Sequence, residues 1–411
     1  MAGRDPGGLA RRGESMQDQF GRELLERFRA CSGVAESWYS PGRFAIGYRR
    51  AAGGATCWAF LGNLYGECAG LAGQRRDQHL ARYVSAMAEP ACVPADWETA
   101  APLLRPVLCG ESFGRPRPGA ADRPETDLIR RPALPMLDEL IVVDLPTSFG
   151  YVTSGLAADW GVPVGEVFAT ARRNLAADDR LGCDLSERPT LLRFVDDGDQ
   201  YWVPRLLVDG WLATLAERLG GRPVAFVPNR DSLLVAREGP ALAGLFDVVA
   251  AEYTESVHPV SPMAYTLGDD GTLRPYRVPA GHPLEPAVRR AERLLACREY
   301  DVQADLLRAI PYGPAVASYL IADDVDAASV SIATWAEDTA TLLPVTDHVA
   351  LVSADRAQSW LVDWTTLVAT VPTRPVPGLH PLRYRVAAWP TGEARHRLLA
   401  AATHRSAGAD G

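Results

Sequence analysis

Three consecutive polar residues, Asn229, Arg230 and Asp231, offer the best binding chemistry in this 411-residue sequence. They stand between two short apolar runs, and this pattern predicts that they form the tip of a β-hairpin. An amide, a guanidinium and a carboxylate at one tip can bind an anionic or peptide group through directional hydrogen bonds. The structural alternative is that Asp231 caps the turn and Arg230 forms a local ion pair.

His258 and Ser261 form a second candidate pair, one predicted helix further along the chain. Histidine changes its charge near neutral pH, so His258 suits catalysis or ligand binding, although a capping or turn role also explains it. If Arg230, Asp231, His258 and Ser261 converged in one pocket, they could support hydrolysis or group transfer without a lysine. If they were dispersed over the surface, this enzymatic interpretation would fall.

Residues 110–114 read Gly-Glu-Ser-Phe-Gly and match the G-x-S-x-G nucleophile elbow. That elbow is a turn from a strand into a helix, which exposes its serine at the edge of a sheet. A short strand over 106–109 could precede Ser112. The Arg-Pro-Arg-Pro-Gly that follows cannot form the required helix, because proline disrupts helix geometry. We therefore expect a loop here and predict no catalytic residue.

Three acidic turns, at 196–199, 269–271 and 323–326, raise the possibility of a metal site. Each lacks the longer alternation of oxygen ligands and the terminal glutamate of a calcium loop, and Asp-Gly is also the ordinary hairpin signal. The seven histidines show no HxH, HxxH or HExxH spacing that would build a local zinc site. We expect neither a metal nor a cofactor.

The chain contains no lysine, and all 42 of its basic residues are arginine. P-loop ATPases, protein kinases and Schiff-base enzymes each need a lysine amine, so these classes are excluded. A GC-rich coding sequence that favours arginine codons explains the absence. The alternative is selection against a modifiable ammonium, since arginine keeps the charge without the nucleophile.

The composition is that of a globular protein, with 47% hydrophobic and 23% charged residues. A net charge of −9 and scattered arginine pairs argue against nucleic-acid binding, which needs a basic face. No apolar run approaches the roughly 20 residues of a membrane span, and no secretory signal is apparent. The seven cysteines form no CxxC pair and suit reduced thiols. We expect a cytoplasmic protein that binds neither nucleic acid nor membrane.

Hydrophobic periodicity predicts helices that alternate with strand pairs. The first predicted helix begins at Met16. Further helices are predicted over about 80–87, 164–175, 205–219, 242–253, 284–310 and 392–402, and another around Trp360, Trp364 and Leu367. The predicted strands cover 43–49, 56–64, 140–143, 150–153, 191–195, 200–203, 224–227, 232–236, 329–335, 339–352 and 382–388. Hairpins alternating with helices predict an α+β fold with mostly antiparallel sheets.

Chain length and proline content predict two or three domains. The predicted segments are a tail at 1–15, an N-terminal α+β domain at 16–113, a linker at 114–135, a central α+β domain at 136–280, a C-terminal α+β domain at 284–404 and a tail at 405–411. A weak internal repeat relates Val227-Pro228-x-x-Asp231 to Leu343-Pro344-x-x-Asp347, and each copy leads into an apolar run.

The central segment carries short motifs in a characteristic order. They are Asp144-Leu145-Pro146, Tyr151-Val152-Thr153, Ala171-Arg172-Arg173-Asn174-Leu175, Val227-Pro228-Asn229-Arg230-Asp231-Ser232-Leu233-Leu234 and His258-Pro259-Val260-Ser261. In this order the segment 136–278 resembles the YtpQ family, a bacterial family of unknown function. The resemblance does not reach 300–411. It implies a shared α+β fold and cytoplasmic location, and it implies no activity.

These observations favour a non-enzymatic protein- or ligand-binding adaptor module. Its sheet edges suit a protein or peptide partner. The predicted binding residues are Asn229, Arg230, Asp231, His258 and Ser261. The alternative is a lysine-independent hydrolase or transferase with a site around Arg230, Asp231 and His258. The oligomeric state is left open.

Overall fold

The computed structural model divides the chain into two compact units, one of residues 1–94 and 144–150 and one of residues 95–143 and 151–411. The structure describes residues 15–51, 56–88, 93–116, 124–145, 148–178, 189–195, 201–310, 313–322 and 329–404. The acidic turns at 196–199 and 323–326, part of the predicted linker and nearly all of both predicted tails lie outside these residues.

Eleven α-helices lie in the described residues: α1 Met16–Ala30, α2 Gly62–Cys68, α3 Gly73–Ala88, α4 Trp97–Ala100, α5 Ser154–Asp159, α6 Val164–Ala177, α7 Trp211–Leu219, α8 Leu242–Glu255, α9 Glu285–Arg308, α10 Trp364–Thr370 and α11 Gly392–Ala401. None of these helices is both long and apolar enough to cross a membrane. Short 3₁₀ turns join several of them to the strands.

The strands of the described residues are β1 Val34–Ser40, β2 Ala45–Arg50, β3 Cys57–Phe60, β4 Leu104–Gly110, β5 Arg130–Leu134, β6 Leu137–Leu145, β7 Ser148–Tyr151, β8 Leu191–Val195, β9 Pro223–Asn229, β10 Ser232–Arg237, β11 Pro259–Leu267, β12 Leu273–Pro275, β13 Ala315–Val316, β14 Leu320–Ala322, β15 Val330–Ala336, β16 Thr341–Pro344, β17 His348–Val352, β18 Ser359–Asp363, β19 Arg374–Pro375, β20 Arg383–Val386 and β21 Thr403–His404. Most of their pairings are antiparallel, so the predicted α+β fold is confirmed.

The first unit packs α1 and α3 beside the antiparallel sheet β1-β2-β3. Phe20, Leu24 and Phe28 recur every four residues on α1 and are buried, as the spacing predicts for one helix face. The strand predicted to continue to residue 64 ends earlier. Leu61 and Leu64 are both buried at helical spacing, so the chain turns into α2.

The second unit is built around a five-stranded sheet in the order β12-β11-β9-β10-β8. The hairpin of β9 and β10 forms as predicted, and so does the turn with Gly271 at φ 76° between β11 and β12. The predicted hairpin of 191–195 with 200–203 is wrong: β8 pairs with β10, and the described residues after 200 form a 3₁₀ turn at Val203–Leu207. Trp202, just before this turn, packs on Phe194 with the ring centroids 4.8 Å apart.

A smaller sheet places β6 between β4 and β5, antiparallel to both. β6 is buried along Leu137–Val143, with apolar side chains on both faces. β5 lies within the range predicted as a linker. Pro132 did not prevent a strand, because β5 lies at the edge of the sheet, where proline is tolerated.

The C-terminal part of the second unit contains the sheets β13-β16-β20-β19 and β14-β15-β17-β18-β21. The single predicted strand over 339–352 is interrupted, and its halves β16 and β17 join different sheets. Trp360, predicted in a helix, lies on β18, and α10 begins at Trp364. The buried Trp335 and Trp360 belong to the core of this region.

Helix α9 connects the layers of the second unit. Val288, Ala291 and Leu295 are buried on its N-terminal half, which packs against β11. Its C-terminal half buries the polar residues Glu299 and Gln303. Buried polar groups need hydrogen-bond partners, so other polar groups are expected around this half of the helix.

Candidate functional site

The predicted hairpin tip is an exposed two-residue turn of Arg230 and Asp231. The Asp231 amide donates to Oδ1 of Asn229 at 3.0 Å, and Arg230 Nε donates to Oδ1 of Asp231 at 3.3 Å. The Arg230 amide donates to the carbonyl of His258 at 3.1 Å. These contacts are the ones expected if the tip has a structural role, in which its side chains stabilise the turn by bonding to one another.

Ser261 lies elsewhere, fully buried on β11. Its Oγ lies 2.6 Å from the hydroxyl of Tyr265 and accepts a hydrogen bond from the Met263 amide at 3.1 Å, where β11 bulges. The tip of Arg230 and Asp231 is solvent-exposed, whereas Ser261 faces the interior. The structure therefore places the backbone of His258 beside the tip formed by Asn229, Arg230 and Asp231, and it buries Ser261 inside the sheet.

A different polar cluster forms at the end of β4, in residues 110–115, hereafter the 110–115 loop. The Glu111 amide donates to Met136 at 2.8 Å, and the Phe113 amide donates to Gly110 at 3.0 Å. Arg115 Nε donates to the Glu111 carbonyl at 2.6 Å. These bonds form a compact turn, and no helix follows it in the described residues up to 116. The expected strand before Ser112 is present as part of β4.

Ser112 is hydrogen-bonded to the carboxylate of Glu299 on α9. One oxygen, Oε2, accepts both the Ser112 amide at 2.8 Å and the Ser112 hydroxyl at 2.7 Å. Burial raises the pKa of Glu299 above its ordinary 4.5, and the hydrogen bonds from Ser112 offset only part of that effect. The negative charge of nearby Glu111 raises the pKa further. Glu299 is thus a desolvated carboxylate that forms no ion pair with an arginine among the described residues.

Gly110 provides the space in which the Glu299 carboxylate sits. A Cβ at residue 110 would overlap Oε1 and Cδ of Glu299. The absence of a side chain therefore lets α9 approach the end of β4 closely. The first glycine of the G-x-S-x-G match has a packing role in this fold.

Two arginines hold Asp138 on β6 beside the 110–115 loop. Arg115 Nη2 and Arg130 Nη1 each donate to Asp138 Oδ2 at 3.1 Å. Arg130 Nη2 also donates to the Phe113 carbonyl at 2.9 Å. Burial and the neighbouring Arg130 lower the pKa of Arg115, but a guanidinium keeps its charge at neutral pH. The negative charges of Asp138, Glu111 and Glu299 act on the pKa of Arg115 in the opposite direction.

A cleft, hereafter the α9 cleft, opens between the 110–115 loop, α9 and the segment 378–380. Its polar lining is Ser112, Arg115, Gln303 and His380, and its apolar lining includes Leu306, Leu307 and Leu379. His380 Nδ1 lies 2.9 Å from Oε1 of Glu111, which links the third wall to the loop. The cleft is shallow: its cavity volume is about 20 Å³, and the rest of the roughly 290 Å³ at its mouth is open to solvent, so a small ligand would insert only its head group.

Arg115 is the donor best placed to receive a ligand in the α9 cleft. Its Nε and Nη2 are occupied by Glu111 and Asp138, and Nη1 has no hydrogen-bond partner within the described part of the chain. A guanidinium with one remaining donor edge suits a carboxylate or an oxyanion. The leucines opposite would accept an apolar substituent.

Other reactive groups are less suited to chemistry in this region. Burial raises the pKa of the Cys109 thiol to about 12, so it stays protonated at neutral pH and is a poor nucleophile. In the described residues, no group of three His, Cys, Asp or Glu side chains is arranged to hold a metal ion. Ser112 is therefore the nucleophile to consider in the cleft.

The sequence did not predict this site because its parts are far apart along the chain. Glu299 lies 187 residues from Ser112, and His380 lies 269 residues from Glu111. The one available signal was the G-x-S-x-G match, which the missing helix argued against. Periodicity places Glu299 in a long amphipathic helix but assigns it no partner.

Comparisons with known proteins found no match: no family model, no curated protein and no solved structure is similar to this chain. The resemblance of 136–278 to the YtpQ family therefore stays a prediction. The functional argument depends on the geometry of the α9 cleft.

Proposed function

We propose that the second unit is a binding module for a small carboxylate that carries a short apolar chain, and that the α9 cleft is its site. The observation that supports this most directly is Arg115, which lines the cleft together with three leucines and whose Nη1 has no hydrogen-bond partner in the described residues. Arginine binds carboxylates through planar paired hydrogen bonds. The leucines would shield one side of the alkyl chain from water.

We also propose a cytoplasmic location. The five described cysteines, Cys31, Cys57, Cys68, Cys109 and Cys297, form no disulfide. Cysteines outside disulfides are typical of proteins in a reducing compartment.

The test is titration of the full-length protein with hexanoate by isothermal calorimetry. Hexanoate has eight non-hydrogen atoms, and a ligand of that size commonly binds with a Kd of about 1 mM or tighter. Arg115→Gln should weaken binding by about tenfold or more, because a charge-assisted hydrogen bond contributes about 1.5–3 kcal/mol.

Arg130→Gln is the matched control. It removes the same kind of bond to Asp138 but does not line the α9 cleft. Hexanoate binding should persist in this variant. Equal loss of binding in both variants would mean that folding of the 110–115 loop matters and that Arg115 does not contact the ligand. No heat of binding to the wild type at 20 mM hexanoate would refute the proposal.

A further inference from the structure

We propose that the α9 cleft also performs acyl transfer, with Ser112 as the nucleophile, Glu299 as its general base and a short-chain carboxylic ester as the substrate. This inference rests on the proposed binding of a small carboxylate, because that carboxylate is the product that ester hydrolysis would leave in the cleft. It goes beyond binding by assigning a covalent role to Ser112.

The first support is geometric. A serine becomes nucleophilic when a base within hydrogen-bond reach accepts its proton. The Ser112 hydroxyl lies 2.7 Å from Oε2 of Glu299, and Ser112 lines the cleft. No base needs to be brought in by movement of another element.

The second support is a comparison inside the same unit. Ser331 donates its amide and hydroxyl to one oxygen of Asp347, each at 2.7 Å, which repeats the pattern of Ser112 and Glu299. The Ser331 hydroxyl oxygen, however, also accepts the Asp347 amide at 2.8 Å. The Ser112 hydroxyl oxygen accepts no hydrogen bond within the described residues, so its lone pairs are available for attack.

The two carboxylates also differ in basicity, and this difference again favours Ser112. Asp347 is bound by Arg293 at 2.8 Å, and a carboxylate held by a guanidinium is a weak base. Glu299 is buried without such an ion pair, and burial makes it a stronger base than an exposed glutamate. Ser331 and Asp347 therefore provide an internal control, in which the geometry is similar but the carboxylate is a weak base.

The reaction would run in two steps. The Ser112 oxygen forms a bond to the ester carbonyl carbon while its proton moves to Glu299, and the resulting oxyanion would be stabilised by the positive charge of Arg115, which lines the same cleft. The carbon–oxygen bond to the alcohol then breaks, and Glu299 gives its proton to the leaving oxygen. Water attacks the acyl-serine in the same way, with Glu299 again accepting and returning a proton, and releases the carboxylic acid.

The experiment uses a fluorophosphonate with a six-carbon chain on the full-length protein at pH 7.5. Attack by serine forms an oxygen–phosphorus bond and expels fluoride, so intact mass rises by one phosphonyl group. Peptide mapping should place the label on Ser112 and not on Ser331. Ser112→Ala should abolish labelling, and Ser331→Ala should leave its rate unchanged.

Glu299→Gln tests the base. Glutamine keeps an oxygen that accepts from Ser112, so the fold should persist, which circular dichroism checks. The labelling rate should fall by about 100-fold or more, the usual cost of losing a general base. In the wild type the rate should rise with pH through the pKa of Glu299, and this inflection should vanish in the variant.

Each outcome separates this proposal from the binding proposal. Hexanoate binding without labelling of Ser112 would overturn acyl transfer and leave the binding module intact. Labelling of Ser112 without hexanoate binding would support the nucleophile and refute the carboxylate site. Labelling that persists in Ser112→Ala, or an unchanged rate in Glu299→Gln, would overturn the proposal.

Discussion

The second unit contains two serine–carboxylate pairs, Ser112 with Glu299 and Ser331 with Asp347, that look alike and differ in their surroundings. In each pair one carboxylate oxygen accepts both the amide and the hydroxyl of the serine. Arg293 binds Asp347 at 2.8 Å, whereas Glu299 forms no described ion pair. The pKa values then move in opposite directions.

The difference shows that the neighbouring cation sets the role of a buried carboxylate. Burial raises the pKa of Asp347, but the hydrogen bonds from Arg293 and Ser331 outweigh it and lower the pKa to about 2. At Glu299 burial dominates, and the pKa is raised. The Ser331–Asp347 pair stabilises the segment between β16 and β17, which belong to different sheets. The Ser112–Glu299 pair keeps a carboxylate whose pKa is raised, which makes it a stronger base.

The largest expected effect is on the stabilising pair. Asp347→Asn should lower the free energy of unfolding by about 2 kcal/mol at pH 7, because it leaves the guanidinium of Arg293 without its counter-ion. This figure is already reduced for the partial exposure of Asp347. Urea denaturation followed by tryptophan fluorescence measures it.

Asp363→Asn is the control for that substitution. Asp363 pairs with His348 at 3.0 Å but is 58% exposed, so its loss should cost less than about 0.5 kcal/mol. Equal costs for the two variants would contradict the distinction between a structural ion pair and a surface pair.

The next effect concerns the space beside Glu299. Gly110→Ala should lower the free energy of unfolding by about 1–2 kcal/mol, because the new methyl group displaces the Glu299 carboxylate and breaks its bonds to Ser112. Fluorophosphonate labelling of Ser112 should fall in parallel. Gly244→Ala, where a Cβ meets open space on α8, should be neutral or stabilising in the same denaturation assay.

The pH dependence of stability should have opposite signs at the two pairs. Asp347 has a folded-state pKa of about 2 against an ordinary 3.8, so its stabilisation is present above about pH 4 and is lost as the pH falls toward 2. Glu299 has a raised folded-state pKa, so its contribution is full below pH 4.5 and is lost as the pH rises through that pKa.

Unfolding of Asp347→Asn and Glu299→Gln across pH 2–9 checks these signs. The deficit of Asp347→Asn relative to the wild type should shrink in acid. Glu299→Gln cannot ionise at this position, so it should gain stability relative to the wild type as the pH rises. A Glu299→Gln curve parallel to the wild type would show that Glu299 does not titrate as inferred.

The smallest expected effect sharpens the comparison. Arg293→Gln removes the cation from Asp347, yet Ser331 should still resist the fluorophosphonate, because the Asp347 amide continues to occupy its hydroxyl oxygen. Peptide mapping of the treated variant checks this. Labelling of Ser331 in the variant would show that the cation alone protects it.

Sequence reasoning succeeded where one local pattern determines the structure. The every-fourth-residue spacing of Phe20, Leu24 and Phe28 predicted α1, and the apolar runs around Arg230 and Asp231 predicted the β9–β10 hairpin. Both depend on side chains within one turn of helix or across one hairpin. Such contacts repeat at short range, so periodicity reveals them.

The weak internal repeat shows why similar motifs can differ in structure. Val227-Pro228 leads into a hairpin whose Asp231 is 59% exposed. Leu343-Pro344 ends β16, and Asp347 instead accepts bonds from Ser331 and Arg293 before β17 joins another sheet. The partner strands and helix, which lie far away in the sequence, decided the difference.

The sequence by itself determined the α+β class, most helices, the hairpins around Arg230 and Gly271, and the absence of lysine chemistry. Only the tertiary structure placed Glu299 against Ser112 and His380 against Glu111. Helical and strand periodicity reports which face of an element is apolar, but not which distant polar group it contacts. The raised pKa of Glu299 depends on such a contact, because the carboxylate is desolvated only when α9 packs against the 110–115 loop.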